Sequence, residues 1–265
     1  MTTLVRPRRL DDASLRLAVF HHAGGSATAY VPLARALPAS WDTVLIDLPG
    51  RGPRQAAPPP WDLAATVEQL AQDLLPEADA APLALFGHSL GAVLAFETAH
   101  ALDARGVPVA WLGVSGRAAP GEQPAVPWLG PRAPDEDLAS ALRRLGGLPA
   151  RLDEYPVIRR RFLDLTRIDL RALDDYRPDL RRRPLAAPLT AFGGTADPLT
   201  PPAALTAWAR QTTGPFGVRA LRGGHFSLFD DGFRRFAPML VDEIRAHVRE
   251  RAVVLPYPSG ARERI

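Results

Sequence analysis

Six short apolar runs recur along the chain: Leu17–Phe20, Val44–Ile46, Leu83–Phe86, Val109–Val114, Leu189–Phe192 and Val218–Leu221. Each is followed by a helix-length segment of suitable periodicity or by a Pro-rich insertion. Continuous apolar runs of this length suit strands covered on both faces, so the pattern predicts an α/β fold: a mostly parallel sheet with helices on both faces. With 265 residues, 46% of them hydrophobic, and no internal repeat, a single domain over 1–265 is expected.

The helices differ in character. Leu90–Leu102 is apolar nearly all round, as in a helix packed at the centre of a domain, whereas Phe233, Phe236, Leu240, Ile244 and Val248 have the spacing of an amphipathic helix that covers the sheet. Between the fourth and fifth runs the alternation stops. Residues 117–187 begin Pro-rich and continue with amphipathic helices predicted near Glu136–Leu145 and Tyr155–Leu173. A crossover needs far less chain, so this segment is read as an inserted helical lid over one end of the sheet. Residues 253–265 read as a flexible tail.

Composition removes whole classes of chemistry. Without cysteine there are no disulfides, thiolate metal sites or cysteine nucleophiles, and without lysine all 32 basic residues are arginines, which excludes Schiff-base chemistry and a lysine-bearing phosphate loop. A net charge of +3 is no nucleic-acid footprint. No stretch approaches the roughly 18 apolar residues of a membrane span, and Met1–Arg16 carries charges where a signal peptide is apolar. The expectation is a cytoplasmic monomer with neither membrane nor nucleic-acid partners.

The chemistry-bearing motif is Gly87-His88-Ser89-Leu90-Gly91, placed directly after a buried run and directly before the apolar helix. That is the context of a nucleophile elbow, a sharp strand-to-helix turn that projects the Ser89 hydroxyl at the sheet edge. A serine hydroxyl needs a base and an orienting carboxylate, in the chain order Ser, acid, His. His225 follows the last apolar run in the glycine-rich loop Arg222–Ser227, while the other histidines precede the serine, lie inside the elbow or fall in helices. The acid is Asp197, which ends the turn Gly193–Asp197, whereas the alternative position after the fourth run, Ser115-Gly116-Arg117, offers no carboxylate. Asp230 and Asp231 are read as caps of the final helix. The first run ends in His21-His22-Ala23-Gly24-Gly25-Ser26, so the backbone N–H groups of Ala23 and Leu90 are the expected oxyanion hole. Adjacent histidines on an extended chain point to opposite faces, so no metal site is expected at His21 and His22.

The motifs FHHAGGSA (Phe20–Ala27), DLPGRGPR (Asp47–Arg54), FGHSLGA (Phe86–Ala92), LDDYRP (Leu173–Pro178), GGTADP (Gly193–Pro198) and GGHFSLF (Gly223–Phe229) span nearly the whole length. Together they make the chain resemble the type II thioesterases, freestanding editing hydrolases of polyketide and nonribosomal peptide assembly lines. His21 departs from the proline expected there, and Thr195-Ala196 stand where a more acidic pair is usual. The resemblance implies an α/β-hydrolase fold and hydrolysis of stalled or aberrant acyl groups from the phosphopantetheine arm of acyl or peptidyl carrier proteins, with no cofactor. Carrier proteins are usually acidic, so Arg159–Arg161 and Arg181, Arg182 and Arg183 become candidate docking contacts. A medium-chain fatty acyl thioesterase, a general carboxylesterase and a non-catalytic binding protein on the same scaffold are the alternatives.

Overall fold

The structure is a computed structural model that describes residues 3–52, 62–122, 130–149 and 151–249. The expected tail at 253–265 lies outside the described residues. Seven strands form one sheet: β1 (Thr3–Val5), β2 (Leu15–Phe20), β3 (Trp41–Asp47), β4 (Leu83–His88), β5 (Trp111–Ser115), β6 (Leu189–Gly194) and β7 (Phe216–Leu221). Their order is β1-β3-β2-β4-β5-β6-β7, and every neighbouring pair is parallel except β1 with β3. The six apolar runs fall in β2 to β7. The antiparallel β1 was not foreseen, because three residues followed directly by Arg6 carry no periodic signal; it covers the edge of β3, with Leu4 opposite Ile46.

The helices are α1 (Val31–Ala36), α2 (Leu63–Ala80), α3 (Leu90–Asp103), α4 (Asp135–Leu145), α5 (Pro156–Asp175), α6 (Pro202–Leu205) and α7 (Phe236–His247). Successive strand residues point to opposite faces and so divide the core in two. Ala18, Phe20, Leu85, Leu112 and Val114 pack with Leu70 and Leu74 of α2 and Leu94 and Ala95 of α3. Leu17, Val19, Phe86, Trp111 and Phe192 pack on the other side with Leu33 of α1 and Phe236, Leu240 and Ile244 of α7.

The last helix is shorter than its apolar spacing suggested, because Asp230, Asp231 and Gly232 leave helical geometry and Phe233 sits at φ +68°. Of the two aspartates read as caps, Asp231 accepts the Arg235 N–H at 3.3 Å, while Asp230 only approaches the Arg235 guanidinium at 3.9 Å.

The segment between β5 and β6 contains α4 and α5, close to the expected limits. Three acids in the first turn of α4, arginines in its last turn and Gly146 at φ +82° after it complement the helix dipole and close its end. Pro156 opens α5 at a position where a missing N–H costs nothing. Leu138, Ala139 and Leu142 of α4 and Leu163 and Leu170 of α5 form a small core of their own. Its far end is fastened to α3, where the Glu97 carboxylate accepts the Tyr176 hydroxyl and two Arg182 N–H groups at 2.7 Å. No helix among the described residues is long and apolar enough to cross a membrane.

A separate small core implies separate loosening. Leu163→Ala should cost the α4–α5 unit about 2–5 kcal/mol and speed amide exchange in both helices, while β4 and β5 keep wild-type protection; equal loss of protection in the sheet would contradict this division.

Candidate active site

Ser89 joins β4 to α3 at φ +57°, ψ −112°, a conformation that costs a non-glycine residue about 1–3 kcal/mol. The turn is held by the Ser89 N–H donating to Ser115 O at 2.8 Å and the Ala92 N–H donating to Ser89 O at 3.1 Å. Gly91 has no substitute here, since a Cβ on it would lie 2.0 Å from Phe20 O. The elbow is therefore wedged between the ends of β2 and β5, with the Ser89 side chain left to face a cavity.

That cavity has a volume of about 530 Å3 and is lined by Ser89, His225, Ala23 and Phe226 together with residues of α4 and α5. His225 is 4% exposed, and its Nδ1–H donates to Asp197 Oδ2 at 2.8 Å. Oδ1 of Asp197 accepts the Leu199 N–H at 2.9 Å, which fixes the carboxylate's orientation. The two loops that carry the pair are joined by the Thr195 N–H to Leu221 O and the Ala196 N–H to Gly223 O, at 2.7 and 2.8 Å. So two of the three residues read from the sequence are bonded, and the third lines the same cavity as His225. Ser89 and His225 are not hydrogen-bonded in this conformation.

Beneath His225 lies His88, with ring centroids 4.9 Å apart and its Nδ1 3.0 Å from Ser115 Oγ. His22 packs edge-on against Phe226 and Phe229, and its Nδ1 is 3.2 Å from the Tyr30 hydroxyl. Burial drives the pKa of His88 well below its ordinary value and that of His22 down to about 3, with nearby histidines adding to the effect. Both rings stay neutral and serve as packing around the His225 loop. His21 turns away from His22, its Nδ1–H donating to the His22 carbonyl at 2.7 Å, and no cluster fit to hold a metal ion is found among the described residues.

The Ala23 N–H has no partner among the described residues, and Leu90 opens α3, where its N–H has no carbonyl within the helix. The loop that presents Ala23 is held by a group that sequence reasoning missed. Asp169, fully buried on α5, accepts the Gly24 N–H at 2.7 Å and pairs with Arg51. Arg51 in turn donates to Gly25 O at 2.7 Å and Pro49 O at 3.0 Å, and Asp47 accepts the Ala27 N–H at 2.7 Å. Burial pushes the Asp169 carboxyl upward, and Arg51 and the Gly24 N–H oppose that rise. One helix of the insertion thus sets the position of the loop between β2 and α1.

Of the candidate docking arginines, Arg182 is bound to Glu97, Arg159 is paired with Glu136 and Asp153, and Arg161 donates to Gly50 O. These three are committed within the fold. Arg181 and Arg183 are exposed.

The buried histidines make stability depend on pH. His21, His22, His88 and His100 all have lowered pKa values, chiefly through burial, with His22 near 3 and His100 near 4. Unfolded, each titrates near 6.5, so below that pH the unfolded chain binds more protons and stability falls as pH falls. We expect Tm to be level from pH 8 to 7 and then to drop between pH 6.5 and 4, by about 1.4 kcal/mol per pH unit for each fully titrating histidine. A level Tm down to pH 5 would contradict the buried, neutral rings.

Comparison with known proteins agrees with this arrangement. Residues 15–244 match the thioesterase domain family. The chain is 37% identical over 215 residues to a probable cadicidin biosynthesis thioesterase of Streptomyces griseus, an alignment that covers 81% of this chain and 58% of that protein. It is 37% identical over 226 residues to thioesterase PikA5 of Streptomyces venezuelae, covering 83% of this chain and 77% of the other. Among solved structures it resembles RedJ, a thioesterase from the prodiginine pathway of Streptomyces coelicolor, with TM-score 0.80, 34% identity and coverage of 89% and 91%. It also resembles YbtT, a type II thioesterase from the yersiniabactin pathway, with TM-score 0.79, 26% identity and coverage of 94% and 100%. The chain therefore belongs to the thioesterase family and has its α/β-hydrolase fold.

Proposed function

We propose that the protein is a serine thioesterase that hydrolyses stalled or aberrant acyl groups from the phosphopantetheine arms of carrier proteins in polyketide or nonribosomal peptide biosynthesis. The observation that carries this reading is His225, bonded to the buried Asp197 and lining the same cavity as Ser89 on its strained turn. The biosynthetic thioesterases to which the chain is similar support the substrate class.

The reaction follows from the roles of these groups. His225 Nε2 takes the Ser89 proton as Oγ attacks the thioester carbonyl, while Asp197 holds the Nδ1–H and stabilises the imidazolium that forms. The Ala23 and Leu90 N–H groups receive the oxyanion. The intermediate collapses with loss of the thiol, which takes the proton from His225, and leaves an acyl-serine. Water then gives its proton to His225 as it attacks, and the acid departs with the Ser89 proton restored. The balance is thioester plus water to acid plus thiol, so no cofactor enters. In this reading α4 and α5 act as the lid on this cavity, and the Asp169 contact from α5 supports the loop that carries the Ala23 donor.

Carrier docking falls to the exposed Arg181 and Arg183 beside Leu180, which is 65% exposed. An apolar side chain among cations suits an acidic partner with a small apolar contact.

Release of a short acyl group from a phosphopantetheinylated carrier, beside the same acyl group on a small free thiol, tests the reading. Wild type should act faster on the carrier, and Ser89→Ala should lose at least about a thousandfold in kcat; activity on simple esters alone would make the protein a general esterase, and activity only on longer acyl thioesters a fatty acyl thioesterase. Reversing charge at both Arg181 and Arg183 should raise KM for the carrier substrate by about tenfold and leave the small thioester unchanged. Equal effects on both substrates would remove these residues from docking.

A further inference from the structure

Arg117 stands apart from the other sequestered arginines. Arg16 is paired with Glu77, Arg51 with Asp169 and Arg182 with Glu97. The half-buried Arg117 has no hydrogen bond or ion pair to its guanidinium among the described residues, although the Arg117 carbonyl is held by the Trp208 Nε1–H at 2.8 Å. Asp174 and Tyr176 act on it only from beyond ion-pairing distance, and burial lowers its pKa. A sequestered cation whose donors find no partner among the described residues is costly unless something supplies the counter-charge.

Its position says where that counter-charge comes from. Arg117 lines the same cavity as Ser89 and His225. It directly follows Gly116, whose backbone lies so close to the base that a Cβ there would sit 3.0 Å from His225 Cε1. The main chain at this point is therefore fixed against the reacting centre, and Arg117 forms part of the wall of the cavity that holds Ser89 and His225.

We propose that Arg117 is an anion-recognition residue of the substrate cavity, taking an anionic oxygen group of the thioester substrate. This rests on the thioesterase reading only for the ligand's scaffold. Two parts of such a substrate carry that chemistry: the phosphate of the pantetheine arm, and a carboxylate on an acyl group derived from a dicarboxylic acid. A guanidinium binds either through paired N–H donors.

The test uses thioethers that cannot be hydrolysed, so it does not depend on turnover. Binding of S-propyl-pantetheine, S-propyl-phosphopantetheine and S-(2-carboxyethyl)-pantetheine is measured by calorimetry with wild type, Arg117→Met and Arg117→Lys. At least one charged ligand should bind wild type about tenfold or more tightly than the neutral one. Arg117→Met should lose that advantage while keeping the neutral ligand's affinity, which also shows an intact cavity, and Arg117→Lys should keep part of it. The ligand that loses its advantage identifies the source of the anion. Equal affinity for all three ligands in wild type, or an advantage that survives in Arg117→Met, would overturn the proposal. Failure of the carrier assay with this binding pattern intact would instead overturn the thioesterase reading alone.

Discussion

The arrangement of this molecule depends on a single strained turn. Ser89 can hold φ +57° only because β4 drives straight into α3 and the turn is tied sideways to Ser115 at the end of β5. The end of β2 lies so close that position 91 has no room for a side chain. The energy stored there is of order 1–3 kcal/mol and is offset by the buried sheet on both sides. What the strain secures is a hydroxyl that stands clear of the backbone at the C-terminal edge of a parallel sheet, where ligands of open α/β sheets bind.

A second tie brings the inserted helices into the site. Asp169 reaches from α5 to the Gly24 N–H and, through Arg51, to Gly25 O and Pro49 O. A buried ion pair contributes little net stability but is expensive to break, which makes it better suited to fixing position than to holding the fold together. Displacing α5 strands both charges or drags the Ala23 loop with it. The cavity wall and the loop that carries one of the proposed oxyanion donors are in this sense one mechanical unit, fastened at its far end by Glu97, Tyr176 and Arg182.

The core of this organisation was legible in the sequence because its signals are local. Ser89, Asp197 and His225 each sit in a glycine-marked turn after an apolar run, and chain order does the rest. Asp169 was not legible: in the stretch Thr166–Leu173 it looks like any polar residue of an amphipathic helix, and its burial comes from a loop far away in the chain. The same is true of Arg182, whose cluster with Arg181 and Arg183 suggests a solvated patch until the fold brings Glu97 beside it. The β1 strand was invisible because three residues have no period, and pairing with β3 alone defines it. Arg117 was noticed only for what its neighbourhood lacked, a carboxylate; its place in the cavity wall without an ion-pair partner among the described residues is a property of the folded chain.

The central claim is covalent catalysis by Ser89. It is tested most directly by mixing the enzyme with a short acyl-pantetheine thioester, quenching in acid within milliseconds, and mapping the intact protein and its peptides by mass spectrometry. The expected result is one added acyl group on the peptide that contains Ser89, formed in wild type and gone once the thioester is consumed. An acyl group on a different residue, or hydrolysis that proceeds undiminished in Ser89→Ala, would contradict it.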